Sequence, residues 1–405
     1  MTLRLVSFDD AVAAAWEPFA LTRPAGELLF GASTLRGRME SALGARCAMH
    51  LASEHLCGFE EAGAPAVRSY ADAPADGPRL FLSSRAVLGA TGGGELDPHL
   101  AAGPVTVGGH VAGWFAPAGK PPPPPEWLRD PSRETSSAVL ELPGRVLEHV
   151  WQLVLENPEQ TTADILSRFP DPPELSLPDG VYRLGAGPLV QGDGVQVEPG
   201  VVFDTRGGPI WLDDGVTVRA FTRLAGPAYV GPGSAILGGS LEAVSLGPVC
   251  KVRGEVAESV CLGYVNKAHD GHLGHAYLGR WVNLGAETTN SDLKNNYGTV
   301  RLPTPHGDVD TGSIKMGCLL GDHVKTGIGL LLNTGTVVGA GSNLFGAEMP
   351  PRYVPPFSWG SGADLTAYRL EKFLEVAERA MARRGVELSE EHRAQLAAAW
   401  RSARG

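Results

Sequence analysis

Leu320, Thr326, Leu332, Val338 and Leu344 follow one another at a constant step of six residues. Glycine comes directly after three of them, at Gly321, Gly327 and Gly339. The same step recurs at Leu224, Val230 and Ile236, and again at Leu278 and Leu284. Strands of an antiparallel sandwich vary in length and do not keep such a step over five positions. Hexads of a parallel β-helix do. Each unit makes one flat face and one corner, its apolar residue points inward, and the small residue beside it permits the tight corner. Three faces close a coil of about 18 residues, and stacked coils bury one continuous core.

Thr289 to Thr311 breaks the register with Asn290, Asn295, Asn296, Pro303, Pro305 and several glycines. A break inside a solenoid is most simply a loop leaving one corner, where function often sits. After Pro355 and Pro356 the period becomes helical, at Leu370, Phe373, Leu374, Ala377 and Met381. A second helix is expected over Ser389–Arg401, with acidic residues at its start, and the helical tail is expected to cap or pack along the solenoid. The first 115 residues mix short apolar runs with helical stretches. Strands are expected at Leu3–Phe8, Leu80–Leu82 and Val105–Val107, and helices over Thr34–Leu43 and, interrupted at Pro143, over Ala138–Leu155. Pro121 to Pro125 is a stiff surface excursion. These shifts divide the chain at 1–178, 179–350 and 351–405. The fold class is an α/β domain, then a parallel β-helix, then helices. With 53 glycines and 32 prolines in 405 residues, the excess over usual usage fits many turns within a folded protein.

The 34 basic residues are outnumbered by 45 acidic ones, for a net charge of −11. An acidic chain without a basic run argues against nucleic acid as a partner. No apolar stretch approaches the ~18 residues of a membrane span, and Met1 to Asp10 lacks the apolar core of a secretory signal. The five cysteines are scattered without a CxxC pair. They read as reduced thiols of a cytoplasmic protein, with no structural zinc.

One block is specific. Lys267-Ala-His-Asp-Gly-His-Leu-Gly-His-Ala-Tyr-Leu-Gly is followed by Val282-Asn-Leu-Gly-Ala, by Ser291-Asp-Leu-Lys-Asn-Asn-Tyr-Gly-Thr-Val, and by Leu320-Gly-Asp-His-Val. This order resembles the bacterial bifunctional N-acetylglucosamine-1-phosphate uridyltransferase/glucosamine-1-phosphate acetyltransferase family. The likeness is closest to a divergent sugar nucleotidyltransferase branch with a left-handed β-helix. It runs in segments over Phe8–Leu43, Val139–Ile165, Leu262–Arg301, Cys318–Gly346 and Pro355–Gly385. It implies that the helix is left-handed, that the first domain is nucleotidyltransferase-like, and that acetyl-CoA or another acyl-CoA is the co-substrate. The partner is a sugar phosphate or nucleotide sugar, and the assembly a homotrimer with sites between subunits. By position, His269 falls at the catalytic base and Asn283 at a sugar-contacting asparagine. Lys315 falls at a substrate lysine, with Lys267, His272, Asn295, Tyr297 and Arg253 also placed at the substrate. Ala286, Gly327 and Gly346 fall along the coenzyme groove.

The first domain departs from that family. The strand at Leu3–Phe8 runs through Asp9-Asp10 to Leu21-Thr-Arg-Pro without a Gly-rich loop. Arg85 stands where a metal-holding aspartate is expected. A phosphate nest and a carboxylate for Mg²⁺ are what nucleotidyl transfer needs, so Mg²⁺ enters only if this domain is active. Arg23, Arg36, Arg38 and Arg85 remain as phosphate-binding candidates. In the second domain the family's phosphate-gripping arginine is replaced near Gly231-Pro232, and a tyrosine near the base becomes His272.

Acyl transfer to an amine needs a base, an oxyanion donor and a groove for the pantetheine arm. Histidine suits the first role, since its intrinsic pKa of ~6.5 lies near neutrality, and the backbone around Gly285-Ala286 is a candidate for the second. His269, His272 and His275 also form H-x2-H-x2-H, a pattern that suggests zinc. Residues six apart lie on different faces of a hexad helix, so this reading implies no metal. The expected activity is acyl-CoA-dependent transfer onto an amino-sugar phosphate or a nucleotide-linked amino sugar. The alternatives are a sugar-1-phosphate nucleotidyltransferase with an altered N-terminal signature, and a noncatalytic sugar-nucleotide-binding subunit.

Overall fold

A computed structural model describes residues 3–89, 100–172 and 175–404. The chain divides into two compact units. One comprises residues 1–28, 33–150 and 389–405, and the other 29–32 and 151–388.

The first unit is built on a seven-stranded sheet. Arg4–Phe8 lies at its centre, parallel to both Cys47–Ala52 and Arg79–Ser83. Val67–Ser69 extends it in parallel beyond Cys47–Ala52. On the other side, His110–Ala116 pairs antiparallel to Arg79–Ser83 and to Gly103–Val107. Alternate side chains of the central strand go to opposite faces, as a pleated strand requires. Leu5 joins Leu80, Leu82 and Met39 in one cluster, while Val6 and Phe8 join Phe81, Tyr70 and Leu128 in another. The expected helix at Thr34–Leu43 forms over Leu35–Leu43. Thr34 caps it by accepting the Gly37 N–H at 3.0 Å, and Gly44 ends it in left-handed backbone.

The helical expectation for Ala138–Leu155 is corrected. Leu140–Leu142 is a strand parallel to Gly103–Val107, and Gly144–Val146 is a strand antiparallel to Ala86–Leu88. Only Gln152–Leu155 is helical in that range. Leu140 and Leu142 find Val105 and Val107 as neighbours across the sheet. That pairing outweighs local helix propensity, and Pro143 breaks the stretch in any case.

The second unit is the parallel solenoid anticipated from the hexads. Three ladders run along it. The longest stacks nine strands, from Leu189–Gln191 to Tyr353–Val354. Leu224, Val230, Ile236, Leu278, Leu284, Leu320, Leu332, Val338 and Leu344 all lie in one buried cluster. Leu278 pairs with Leu320 although 42 positions separate them, whereas Leu320 and its next neighbour Val338 are 18 apart. The excess is the predicted insertion. It leaves after Thr289–Asn290, forms a hairpin of Arg301–Thr304 with Gly307–Asp310, and returns at Met316-Gly317.

The corners differ from expectation in one respect. The glycine that directly follows an inward residue is not the left-handed one. Its role is close approach between coils: a Cβ on Gly231 would lie 2.8 Å from the Leu246 carbonyl of the next coil, and one on Gly339 would lie 2.5 Å from Pro356 Cα. Left-handed backbone falls two residues later, and along one corner line it is held by Val249, Tyr264, Trp281, His323 and Phe357. Each donates its N–H to a carbonyl of the preceding coil. Four of these five carry a ring, so this left-handed corner line is held largely by aromatic and imidazole side chains.

The two expected C-terminal helices form over Leu370–Ala382 and Glu390–Ser402. The first packs on the end of the solenoid, its Phe373 ring 4.9 Å from Phe357 and 5.8 Å from His323. The second belongs to the first unit, where His392 meets Phe59 edge-on at 6.0 Å and Gln395 donates to the Thr22 and His55 carbonyls. The stretch 351–405 is thus divided between the two units.

Candidate functional site

The carboxyl ends of parallel strands are where open α/β sheets bind ligands. In the first unit that edge carries Asp9 and Asp10, after Arg4–Phe8, and Ser83, Ser84 and Arg85, at the end of Arg79–Ser83. Both aspartates are buried and taken. Asp9 accepts the Ser84 hydroxyl at 2.6 Å and the Ala25 N–H at 3.1 Å, and lies 3.0 Å from His50 Nε2. Asp10 accepts the Ala13 N–H at 3.0 Å and the Ser83 hydroxyl at 2.8 Å. Arg85 forks onto it through Nε at 2.8 Å and Nη2 at 2.7 Å, and its Nη1 donates to the Leu147 carbonyl. The other arginines are engaged similarly. Arg23 pairs with Glu61 at 2.9 Å, and Arg36 pairs with Glu27 at 2.5 Å and Glu40 at 2.8 Å. Arg38 is buried. Three of the four candidate phosphate ligands hold carboxylates of this unit.

In the solenoid, the named residues separate into different places. His269 is exposed in the turn between Asn266–Lys267 and His272–Gly274. Its carbonyl accepts the Lys267 ammonium at 2.6 Å. Lys267 is 2% exposed, at an inward position stacked on Val252, and burial pushes its pKa down. Arg253 is held on Asp270 at 3.0 Å. Asn295 and Tyr297 are exposed in the insertion. Gly327 stacks by its N–H on the Leu344 carbonyl. Gly346 lies in left-handed backbone against Ser361. Ala286 accepts the Gly329 N–H. The Gly285 N–H goes to Thr326, so it does not serve as the expected oxyanion donor.

His275, the third histidine of the H-x2-H-x2-H pattern, sits in a polar cluster with two carboxylates. Its backbone is a left-handed corner stacked on Glu258 of the preceding turn line. Nδ1 lies 2.8 Å from Asp292, the first acidic residue of the insertion, and Nε2 lies 3.1 Å from Glu258. Burial alone would lower the imidazole pKa, but the hydrogen bonds to both carboxylates outweigh it and hold the pKa above its ordinary value. Glu258 and Asp292 are held below theirs, chiefly by their hydrogen bonds to His275, with Lys315 adding to both shifts. His272 adds to that of Asp292 and lies 3.5 Å from Glu255. His272 and Lys315 are thereby brought to one cluster, which has His275 at its centre. Among the described residues, no three His, Cys, Asp or Glu side chains gather to hold a metal ion.

Asn283 lies elsewhere. It stacks between Asn266 and Lys325 on one face, and its Oδ1 accepts the Asn266 amide at 2.9 Å. These residues line a cavity of about 310 Å³ under the helix Leu370–Ala382. His269 is not part of its lining. Tyr264 and Trp281, from the aromatic corner, form a wall with ring centroids 4.1 Å apart. The roles of Lys325 and of the arginines at 379, 383 and 384 were not apparent from sequence. The 17-residue step from Asn266 to Asn283 marks one coil, but the insertion hides Lys325 as the next member.

Residues 5–168 match the family model described as sugar nucleotidyl transferase. Over 91 residues the chain is 29% identical to a bifunctional sugar-1-phosphate nucleotidylyltransferase/acetyltransferase of Sulfurisphaera tokodaii. That match spans 22% of this chain and 23% of the relative. Among solved structures, an Arabidopsis UDP-N-acetylglucosamine acyltransferase aligns over 53% of this chain and 86% of its own, with 12% identity and a TM-score of 0.31. No described helix is long and apolar enough to cross a membrane. From residue 5 to residue 168 the chain carries the pattern of the sugar nucleotidyl transferases, and over a shorter segment it is similar to a protein that joins nucleotidylyl and acetyl transfer.

Proposed function

We propose that the solenoid unit is an acyltransferase, moving an acyl group from a coenzyme A thioester to the amine of an amino-sugar phosphate or nucleotide-linked amino sugar. The observation that carries this is His275 held between Asp292 and Glu258. A histidine oriented by a carboxylate is the arrangement of a general base. The second acidic contact, Glu258, suits a substrate that arrives as an ammonium ion. Glu258 is the more exposed carboxylate, at 40% of its side chain against 19% for Asp292. In this reading Asp292 keeps Nδ1 protonated, and Glu258 yields Nε2 to the amine. The ammonium first gives up one proton to solvent, the neutral amine nitrogen then attacks the thioester carbonyl, and the carbon–nitrogen bond forms as Nε2 takes the second proton. The tetrahedral intermediate then breaks its carbon–sulfur bond, and the thiolate receives that proton. Lys315, beside both carboxylates, would attract the phosphate. His269 loses the role of base, since no side-chain partner among the described residues orients its ring.

For the first unit we favour a nonreactive role in binding. The Arg85–Asp10 fork closes the place where nucleotidyl transfer would need a free carboxylate. The reading also keeps the homotrimer, which suits the exposed Ile328, Leu331 and Tyr297 of the solenoid. Light scattering at micromolar protein tests that part.

The main test follows release of the coenzyme thiol from acetyl-CoA with glucosamine 1-phosphate. His275→Asn is expected to lower turnover by roughly 10²–10⁴-fold. His269→Ala is expected to stay within a few-fold of the parent. The reverse order would return the base to His269, and activity retained in both variants would remove histidine catalysis from the mechanism.

A further inference from the structure

The chain carries a net charge of −11, yet four cationic side chains, Lys325, Arg379, Arg383 and Arg384, line the cavity under the helix Leu370–Ala382. No carboxylate lines it among the described residues. Arg379 is countered by Glu375, one turn earlier on the same helix. Arg383 and Arg384 have no ion pair among the described residues, and Lys325 donates only to the neutral Trp281 carbonyl. Arg383 and Arg384 at the helix end and Lys325 on the coils line one hollow without a carboxylate among the described residues, and repel one another. A protein of this charge has ample acidic residues with which to neutralise them, so their convergence points to an anion supplied from outside.

We propose that this cavity is a binding site for a phosphate monoester of a small polyhydroxylated molecule, of hexose phosphate size. The guanidinium groups of Arg383 and Arg384 and the ammonium of Lys325 meet the phosphate oxygens, as such groups do wherever phosphate is recognised. The ester's hydroxyl-bearing part meets Asn266 and Asn283. The two amides bond to each other through one donor and one acceptor, which leaves Asn266 Oδ1 and Asn283 Nδ2 without a partner among the described residues. One accepts and one donates, a pairing suited to sugar hydroxyls. The wall of Tyr264 and Trp281 offers an apolar surface for a sugar ring. At about 310 Å³ the hollow stands at the small end of ligand pockets. It has room for a sugar monophosphate.

The site is distinct from the His275 cluster. None of its lining residues belongs to that cluster, and the two occupy different corner lines of the solenoid, Tyr264–Trp281–His323 for the cavity and Glu258–His275 for the cluster. The inference therefore goes beyond the transferase reading and survives its failure.

Calorimetric titration of the full chain with glucose 1-phosphate, glucose and inorganic phosphate tests it. Glucose 1-phosphate is expected to bind at about 1 mM or tighter, and glucose to show no binding at the same concentrations. The double variant Arg383→Ala/Arg384→Ala changes only the exposed end of a helix and is expected to weaken binding by about tenfold or more. Asn283→Ala is expected to weaken the sugar ester and leave inorganic phosphate unchanged. His275→Asn is expected to bind as the parent does, even where it has lost transfer. The proposal is overturned if glucose 1-phosphate fails to bind, if the double variant binds it like the parent, or if glucose binds equally well. Equal affinity for inorganic phosphate would overturn the recognition of the sugar part.

Discussion

Arg85 grips Asp10 with two of its three guanidinium nitrogens, at 2.8 and 2.7 Å, at the carboxyl end of the first unit's central strands. The pair sits where an incoming nucleotide and its metal would have to be met. Arg85 is 12% exposed and Asp10 2% exposed at the side chain, so water competes little for either.

No pyrophosphate is expected from UTP or dTTP with a sugar 1-phosphate and Mg²⁺. Arg85→Ala should not create that activity. It leaves a buried carboxylate without its counter-charge, which costs about 3–5 kcal/mol. Denaturant unfolding should show that loss, and robust pyrophosphate release by the parent chain would contradict the reading of this edge.

The glycines of the solenoid separate into two kinds, and substitution should tell them apart. Gly231→Ala puts a methyl group 2.8 Å from the Leu246 carbonyl, against backbone that cannot swing aside. A loss of about 1–3 kcal/mol is expected from such overpacking. Gly329 has left-handed backbone, with φ +68°, and open space where a Cβ would go. Gly329→Asn should change stability by less than about 0.5 kcal/mol, since asparagine tolerates that conformation. Thermal melts of both variants decide the point.

Much of this architecture could be read in advance because burial in a solenoid is periodic. Leu320, Val338 and Leu344 announced the core by spacing alone, and Thr289 to Thr311 announced the insertion by breaking it. The stretch at Ala138–Leu155 could not be read that way. Leu140 and Leu142 take their conformation from Val105 and Val107, which lie far away in the chain. The site was legible in its residue types and not in its grouping. His272 and Lys315 gather at one cluster, but its centre is His275, whose partners Glu258 and Asp292 come from the turns before and after it. Asn283 was visible as a candidate, whereas Lys325 stands 42 residues away and Arg383 comes from another element. Only the folded chain brings them together.

The His275 cluster should also leave a mark on stability. The imidazole pKa is raised in the folded state, so its contribution is full below the unfolded value of ~6.5 and fades as pH rises through the folded one. Glu258 and Asp292 are depressed, so their contributions are present above the unfolded values near ~4 and fade as pH falls through the folded ones. The cluster is therefore worth most between about pH 4.5 and 6.5. Relative to the parent, His275→Gln should be most destabilised in that window, with the difference shrinking towards pH 8. Melting temperatures across pH 4–9 measure it, and a pH-independent difference would argue that the ring only packs.

Lys325 supplies the last prediction. Withdrawal from water pushes its pKa down to about 7. The groups lining the cavity with it are the Trp281 carbonyl, Asn266 and Asn283 from the coils, and Arg379, Arg383 and Arg384 from the helix; all three charges repel its own. A bound phosphate dianion reverses that balance and favours the ammonium form. By linkage, binding near pH 7–8 must take up a proton. Affinity for glucose 1-phosphate should accordingly fall as pH rises from 7 to 9, after the ester itself is fully ionised. In Lys325→Met the affinity should be lower at pH 7 and nearly flat over that range, while the unliganded variant melts higher because no ammonium has to be withdrawn from water. Titrations in buffers of different ionisation enthalpy count the proton directly. A parent chain that takes up no proton, with an affinity unchanged between pH 7 and 9, would show that Lys325 does not meet the phosphate.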